Sequence, residues 1–180
     1  MNALCNGIAN WCKKNGAVSE EDYPIVLYGI QVSLNSSLKL SGILLIGILL
    51  HHFWTVLISM TIFCSMRFWT GGWHSKSHLG CFSAMMLPCL VPSLVMGIDG
   101  EWAVWISGGM VIYSIYKILR YAPCNSKVNP IEDPKCLRRK RIGSIVEMAG
   151  VFIGALVCPD MEMRWLIILP VFINAVMLTL

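Results

Sequence analysis

An all-α fold is predicted for this chain: a polytopic membrane bundle of about six transmembrane helices, preceded by an amphipathic N-terminal helix. Composition carries the first part of that prediction. Of 180 residues, 56% are hydrophobic and 13% charged, against roughly 25% charged in soluble domains. The second observation is that the apolar residues fall in runs close to the roughly 20 residues that span a bilayer. The third is the placement of the cations. The formal charge of +4 is modest, but the basic residues are clustered, and beside apolar runs such clusters report orientation rather than nucleic-acid binding. The bilayer is therefore an expected partner and nucleic acid is not.

Residues 1–22 set apolar positions (Leu4, Ile8, Trp11, Cys12) among polar ones at helical spacing, which suits a helix lying on the membrane surface or packed on the protein. They lack the apolar core and cleavage site of a signal peptide, so retention of this segment is expected. The stretch 25–66 is apolar with interruptions at Gln31, Asn35, Lys39 and the pair His51-His52. Two helices turning near His51-His52 are expected, because two imidazoles at mid-bilayer would be costly. Further spans are expected at 82–98, 102–119, 142–158 and 165–180. The polar stretch 120–141 reads as a loop, and its cluster Arg138-Arg139-Lys140-Arg141 makes it cytoplasmic by the positive-inside rule. Counting spans from there puts the segment 67–81, with Arg67 and Lys76, on the same side, and both termini in the cytoplasm. One domain, 1–180, is expected.

Of the eight cysteines, Cys64, Cys89 and Cys158 lie in or beside apolar runs, and no C-x-x-C pair occurs, so neither a disulfide nor a zinc framework is expected. A metal site through His51, His52, His74 and His78 is the weaker reading, since it lacks H-E-x-x-H or carboxylate-containing spacing. No metal and no cofactor are expected.

The chemistry concentrates in Arg67-Phe68-Trp69-Thr70-Gly71-Gly72-Trp73-His74-Ser75-Lys76-Ser77-His78-Leu79-Gly80-Cys81. A free thiol has a pKa of about 8.5, so a nucleophilic cysteine needs a base or a favourable charge. His74 precedes Cys81 by seven positions. On a straight helix that is the same face but about 10 Å away along the axis, so the pair needs a bend, which Gly71, Gly72 and Gly80 would tolerate. Cys81 is expected at the start of the next span, where the helix dipole also favours thiolate. By spacing alone His78 is an equal candidate for the base. A cysteine at a helix end is also commonly just a small apolar residue.

Arg67, Gly71-Gly72-Trp73-His74 and Cys81 form a pattern that resembles the accessory gene regulator B (AgrB) family, with its basic residue, Gly-x-His element and cysteine seven residues on. A second block, Arg120-Tyr121-Ala122-Pro123, Asn129-Pro130-Ile131 and the run Arg138, Arg139, Lys140, Arg141, resembles the family's Tyr-Ala-Pro, Lys-Pro-Ile and basic cluster. Tyr28-Gly29-Ile30-Gln31-Val32 is a third, weaker block. This sequence departs from the family at Asn129 and Gln31, and the resemblance assigns no role to Cys124 or Cys136.

The resemblance implies that His74 rather than His78 is the base and Cys81 the nucleophile of a membrane cysteine endopeptidase. It implies an AgrD-like precursor peptide as partner, cleaved through an acyl-enzyme thioester and cyclised to a thiolactone or lactone signal for quorum sensing. Arg67, Gly72 and the cluster Arg138, Arg139, Lys140, Arg141 become candidates for substrate binding, the cluster toward an acidic tail, with a plain positive-inside anchor as the alternative. A homodimer is also implied, although no Gly-x-x-x-Gly seam calls for one. The localisation implied is the bacterial plasma membrane, multi-pass, with the catalytic segment facing the cytoplasm. No third triad member is assigned: Asp99 is expected on the opposite side, and Glu147 near the start of a later span. The alternatives of a different class are a peptide exporter and a non-catalytic membrane protein.

Overall fold

The structure, a computed structural model, describes residues 2–71, 78–98, 100–124 and 133–178; of Asn2, His78, Leu79 and Cys81 it describes the backbone alone. Among these residues the secondary structure is helical: α1 (Asn2–Lys14), α2 (Tyr23–Leu49), α3 (Phe53–Thr70), α4 (His78–Leu94), α5 (Glu101–Tyr121), α6 (Pro134–Val157) and α7 (Met161–Met177). The chain forms two compact units, Met1–Leu45 and Ile46–Leu180.

In the first unit α1 is shorter than the 22 residues expected. It closes where Gly16 turns to φ +72°: Gly16 N–H donates to Lys13 O and Ala17 N–H to Cys12 O, both at 3.0 Å, the bond pair with which a left-handed residue satisfies the last carbonyls of a helix. Leu4, Ile8 and Trp11 line an exposed face, while Cys5 and Ala9 are buried. The next helix is prepared by Ser19, whose Oγ accepts from Asp22 N–H at 3.1 Å and donates to the Asp22 carboxylate at 2.7 Å, a capping arrangement.

In the second unit the end of α2 turns into α3 at the histidine pair, as the cost of burying two imidazoles predicts. His51 adopts φ +59°. Its N–H donates to Ile48 O at 3.0 Å and that of His52 to Gly47 O at 2.9 Å, the same closing motif with a histidine where glycine is usual. The helices then meet closely, for a Cβ added to Gly47 would lie 3.0 Å from Val56 Cβ.

Successive helices of this unit alternate in direction, and among the described residues two buried clusters lie at opposite ends. Ala103 of α5 packs with Trp165 and Leu169 of α7 and with Val91 near the end of α4, and Trp165 Nε1 donates to Ile98 O at 3.0 Å. At the other end Met66 of α3, Ile118 of α5, Met148 and Phe152 of α6, Val171 and Ala175 of α7, and Leu178 just after it bury one another. The outer faces stay apolar, with Trp54, Trp105, Ile112, Ile153 and Leu156 exposed. Such a surface suits lipid and would be a liability in water. Among the described residues three helices, α2, α3 and α5, are long and apolar enough to cross a membrane. The chain is a membrane protein.

Three helix starts lie clearly earlier than expected. The helix expected at 82 starts at His78, the one expected at 142 starts at Pro134, and the one expected at 165 starts at Met161. The second of these puts Arg138, Arg139, Lys140 and Arg141 on a helix rather than in a loop. Asp133 is the reason for the second shift. Its carboxylate accepts from Lys135 N–H at 2.9 Å, and Pro134 follows at the first helical position, where its missing N–H costs nothing.

His51→Gly should raise stability by about 1 kcal/mol, because only glycine adopts a left-handed conformation without a Cβ penalty, and His51→Val should lower it by at least as much. Thermal unfolding in detergent micelles measures both.

Candidate active site

The segment singled out in the sequence begins where α3 ends. Gly71 leaves the helix at φ +65°, ψ −147°, a region that is essentially glycine's own. Its N–H still donates to Arg67 O at 3.0 Å. The Thr70 carbonyl, orphaned by the break, accepts the N–H of Cys124 at 2.8 Å, and Gly71 pairs with Cys124 as an isolated parallel bridge. The approach is so close that a Cβ on Gly71 would lie 2.7 Å from Cys124 O.

The Thr70 side chain is held from the opposite direction. It is fully buried, with Oγ1 2.9 Å from Met66 O and 3.2 Å from Gly71 O. Since the hydroxyl has one proton, it donates to these carbonyls and accepts on a lone pair. What it accepts is the amide of Asn174 in α7, at 3.0 Å. Gly71 is thus clamped between α7 and the chain leaving α5, just after the cis Ala122–Pro123 bond.

A third contact brings in α6. Phe68 and Trp69 meet edge to face with centroids 5.1 Å apart. The Trp69 indole lies so close to Gly143 that a Cβ there would overlap it. Lys140 places its ammonium 5.9 Å from the Phe68 ring centre, a cation–π contact. Arg138, Arg139 and Arg141 are exposed beside it in the second turn of α6. Arg67 is half-buried in the last turn of α3, where a cation suits the negative end of the helix.

His74 and Gly72 lie outside the described residues, as do Lys76 and 129–131. The backbone of Cys81 is in the first turn of α4, as expected; its side chain is outside the description. His78 opens the same helix, and Gly80, expected to permit a bend, is helical. Among the described residues it is Gly71 that breaks the helix. The structure therefore brings together Arg67, Gly71, the Tyr121-Ala122-Pro123 block and the basic cluster at one end of the second unit. Sequence reasoning missed Thr70, Asn174, Trp69 and Gly143. Asn174 alone left a signal, as a polar side chain within the apolar run 165–180.

These features define an integral membrane protein of packed helices whose motif-bearing segments converge at one helix end. The accessory gene regulator B family model matches residues 5–178, and the chain belongs to that family. It is similar to the accessory gene regulator protein B of Staphylococcus aureus (strain bovine RF122 / ET3-1), 26% identical over 161 residues that cover 87% of this chain and 84% of the relative. It is also similar to the putative AgrB-like protein 2 of Clostridium perfringens (strain 13 / Type A), 23% identical over 127 residues, 67% of this chain and 59% of that protein. No solved structure matches it.

Gly71→Ala should cost about 2–3 kcal/mol, from the forbidden backbone region and the Cys124 carbonyl. Gly150→Ala, where an added Cβ meets nothing within 4 Å, should be neutral or stabilising by up to about 1 kcal/mol through helix propensity. Parallel melts of the two variants test the clamp.

Proposed function

We propose that this protein is a membrane cysteine endopeptidase that removes the C-terminal tail of an AgrD-like precursor and promotes cyclisation of the remainder into a quorum-sensing peptide. Membership of the family supports a role in processing the agr autoinducing peptide. The observation that carries the finer reading is the convergence just described: Thr70, at the end of α3 where the chain toward His74 and Cys81 departs, is hydrogen-bonded to the Tyr-Ala-Pro-Cys stretch, and the basic cluster stands one cation–π contact away.

In this reading His74 takes the proton of Cys81, and the thiolate attacks the carbonyl carbon of the scissile peptide bond. The C–N bond breaks, the amine of the tail leaves with the proton from the imidazolium, and an acyl-enzyme thioester remains. An internal thiol or hydroxyl of the precursor then gives its proton to His74 and attacks the thioester, forming the ring and freeing Cys81. An internal nucleophile held near the thioester has a high effective concentration, so cyclisation outruns hydrolysis where water is scarce. The start of α4 favours thiolate at Cys81, since the unsatisfied N–H groups there carry partial positive charge.

The exposed Arg138, Arg139 and Arg141, with Lys140, supply a field for an acidic tail. Arg67 and Gly72 belong to the same binding region, and the site faces the cytoplasm of a bacterial plasma membrane. The chain acts as one peptidase domain, the α1 face carrying Leu4, Ile8 and Trp11 lying against lipid.

Mass spectrometry of an AgrD-like precursor in proteoliposomes tests the chemistry. Wild type should yield the free tail and a cyclic product lighter than its linear form by one water. Cys81→Ala should yield neither, and His74→Ala should be slower by about 10² or more. A Cys81→Ala protein that still carries peptide across the bilayer, beside a wild type that cleaves nothing, would replace the peptidase with an exporter. Reversing charge at Arg138 and Arg141 should raise KM several-fold in low salt and less in high salt, because the attraction is screened. An unchanged KM with reduced insertion would make the cluster a topology anchor only.

A further inference from the structure

We propose that Asn174 is a positioning residue of the catalytic segment: through Thr70 it fixes where the chain bearing His74 and Cys81 leaves α3. The inference rests on the peptidase reading and deepens it.

Asn174 is fully buried in α7, among the apolar side chains that close this end of the unit, and Val171 and Ala175 beside it are equally buried. A primary amide in such a place carries a desolvation penalty unless its groups are used. One is used: Nδ2 donates to Thr70 Oγ1 at 3.0 Å. Oδ1 is buried without a hydrogen-bond partner among the described residues. The bond therefore joins a buried, incompletely satisfied amide to one particular hydroxyl, that of the last residue of α3.

Accepting from Asn174 fixes one lone pair of Thr70 Oγ1. Its single proton is then directed toward Met66 O and Gly71 O, at 2.9 and 3.2 Å. The hydroxyl spans the break itself, from the last carbonyls of α3 to the first one beyond it. The Thr70 carbonyl is meanwhile occupied by Cys124 N–H at 2.8 Å. Side chain and main chain of one residue are thus held by two different elements. Gly71, the next residue, has no room for a side chain beside Cys124 O.

His74 is four residues beyond Thr70 and Cys81 eleven beyond it. Since α4, which starts at His78, packs on α3 and α7, the exit direction at Thr70–Gly71 becomes the other fixed end of the intervening chain. A shift of about 1 Å at such a site can cost as much as 10² in rate without altering the groups that hold substrate. Ordinary interhelical glue, the rival role for a buried asparagine in a membrane helix, would change helix association and leave the rate per folded molecule alone.

The test uses the full-length protein in proteoliposomes with an AgrD-like precursor, rates being expressed per monodisperse folded molecule. Asn174→Leu, near in volume, and Thr70→Val should each lower kcat about tenfold or more while KM changes by less than about twofold. The double variant should be no slower than the slower single, because both remove one bond. Thr70→Ser, which keeps the hydroxyl, should restore most of the rate. If Asn174→Leu fails to insert, Asn174→Ser, too short to reach Thr70, takes its place.

A kcat within twofold of wild type for the Asn174 variant, or losses that multiply in the double variant, would overturn the inference and leave the peptidase intact. A wild type that does not cleave would overturn both.

Discussion

A helix end buried under other protein atoms leaves carbonyls without partners and out of the reach of water. At the end of α3 that constraint is met by Cys124, whose N–H reaches Thr70 O. Much of the second unit is arranged around that one bond. It holds the chain leaving α5 against the end of α3, it requires glycine at position 71 because the Cys124 carbonyl occupies the space of a side chain, and it brings Thr70 within reach of Asn174 in α7.

The remaining contacts at this end follow from bulk and charge. Trp69 can face α6 because Gly143 has no side chain, and that contact fixes which turn of α6 stands beside Phe68. The turn is the one bearing Arg138, Arg139, Lys140 and Arg141. The four cations are thereby presented next to the exit of α3 rather than spread along a loop. Their helix exists because Asp133 caps it and Pro134 starts it. At the opposite end Trp165, Ala103 and Val91 form a separate cluster, so the helices are anchored at both ends and present apolar outer faces between them.

Family membership and the contacts bear on each other. Two sequence blocks that characterise the family resemblance, one around Gly71 and one at Tyr121-Ala122-Pro123, are distant along the chain and touch in the fold. A peptidase that must release a charged tail while retaining an activated acyl group needs a polar binding region and a shielded reacting centre side by side. At this end of the second unit exposed cations lie near buried apolar residues, the surroundings that the proposed reading calls for.

Composition and run length were enough to determine that the chain is helical and membrane-bound, since a bilayer admits few other ways to satisfy a backbone. The turn at His51-His52 was legible because imidazoles are expensive in hydrocarbon. The start of α6 was misread as a loop because its charges outweighed the Asp133-Pro134 signal that begins it. What the sequence could not disclose was the clamp. Thr70 and Asn174 are 104 positions apart, and Gly143 is one of 15 glycines; the polarity of Asn174 marks it in its apolar run, but nothing local says what it meets. Their roles depend on which helix faces which, and that is decided only when the apolar faces of α3, α5, α6 and α7 have found one another.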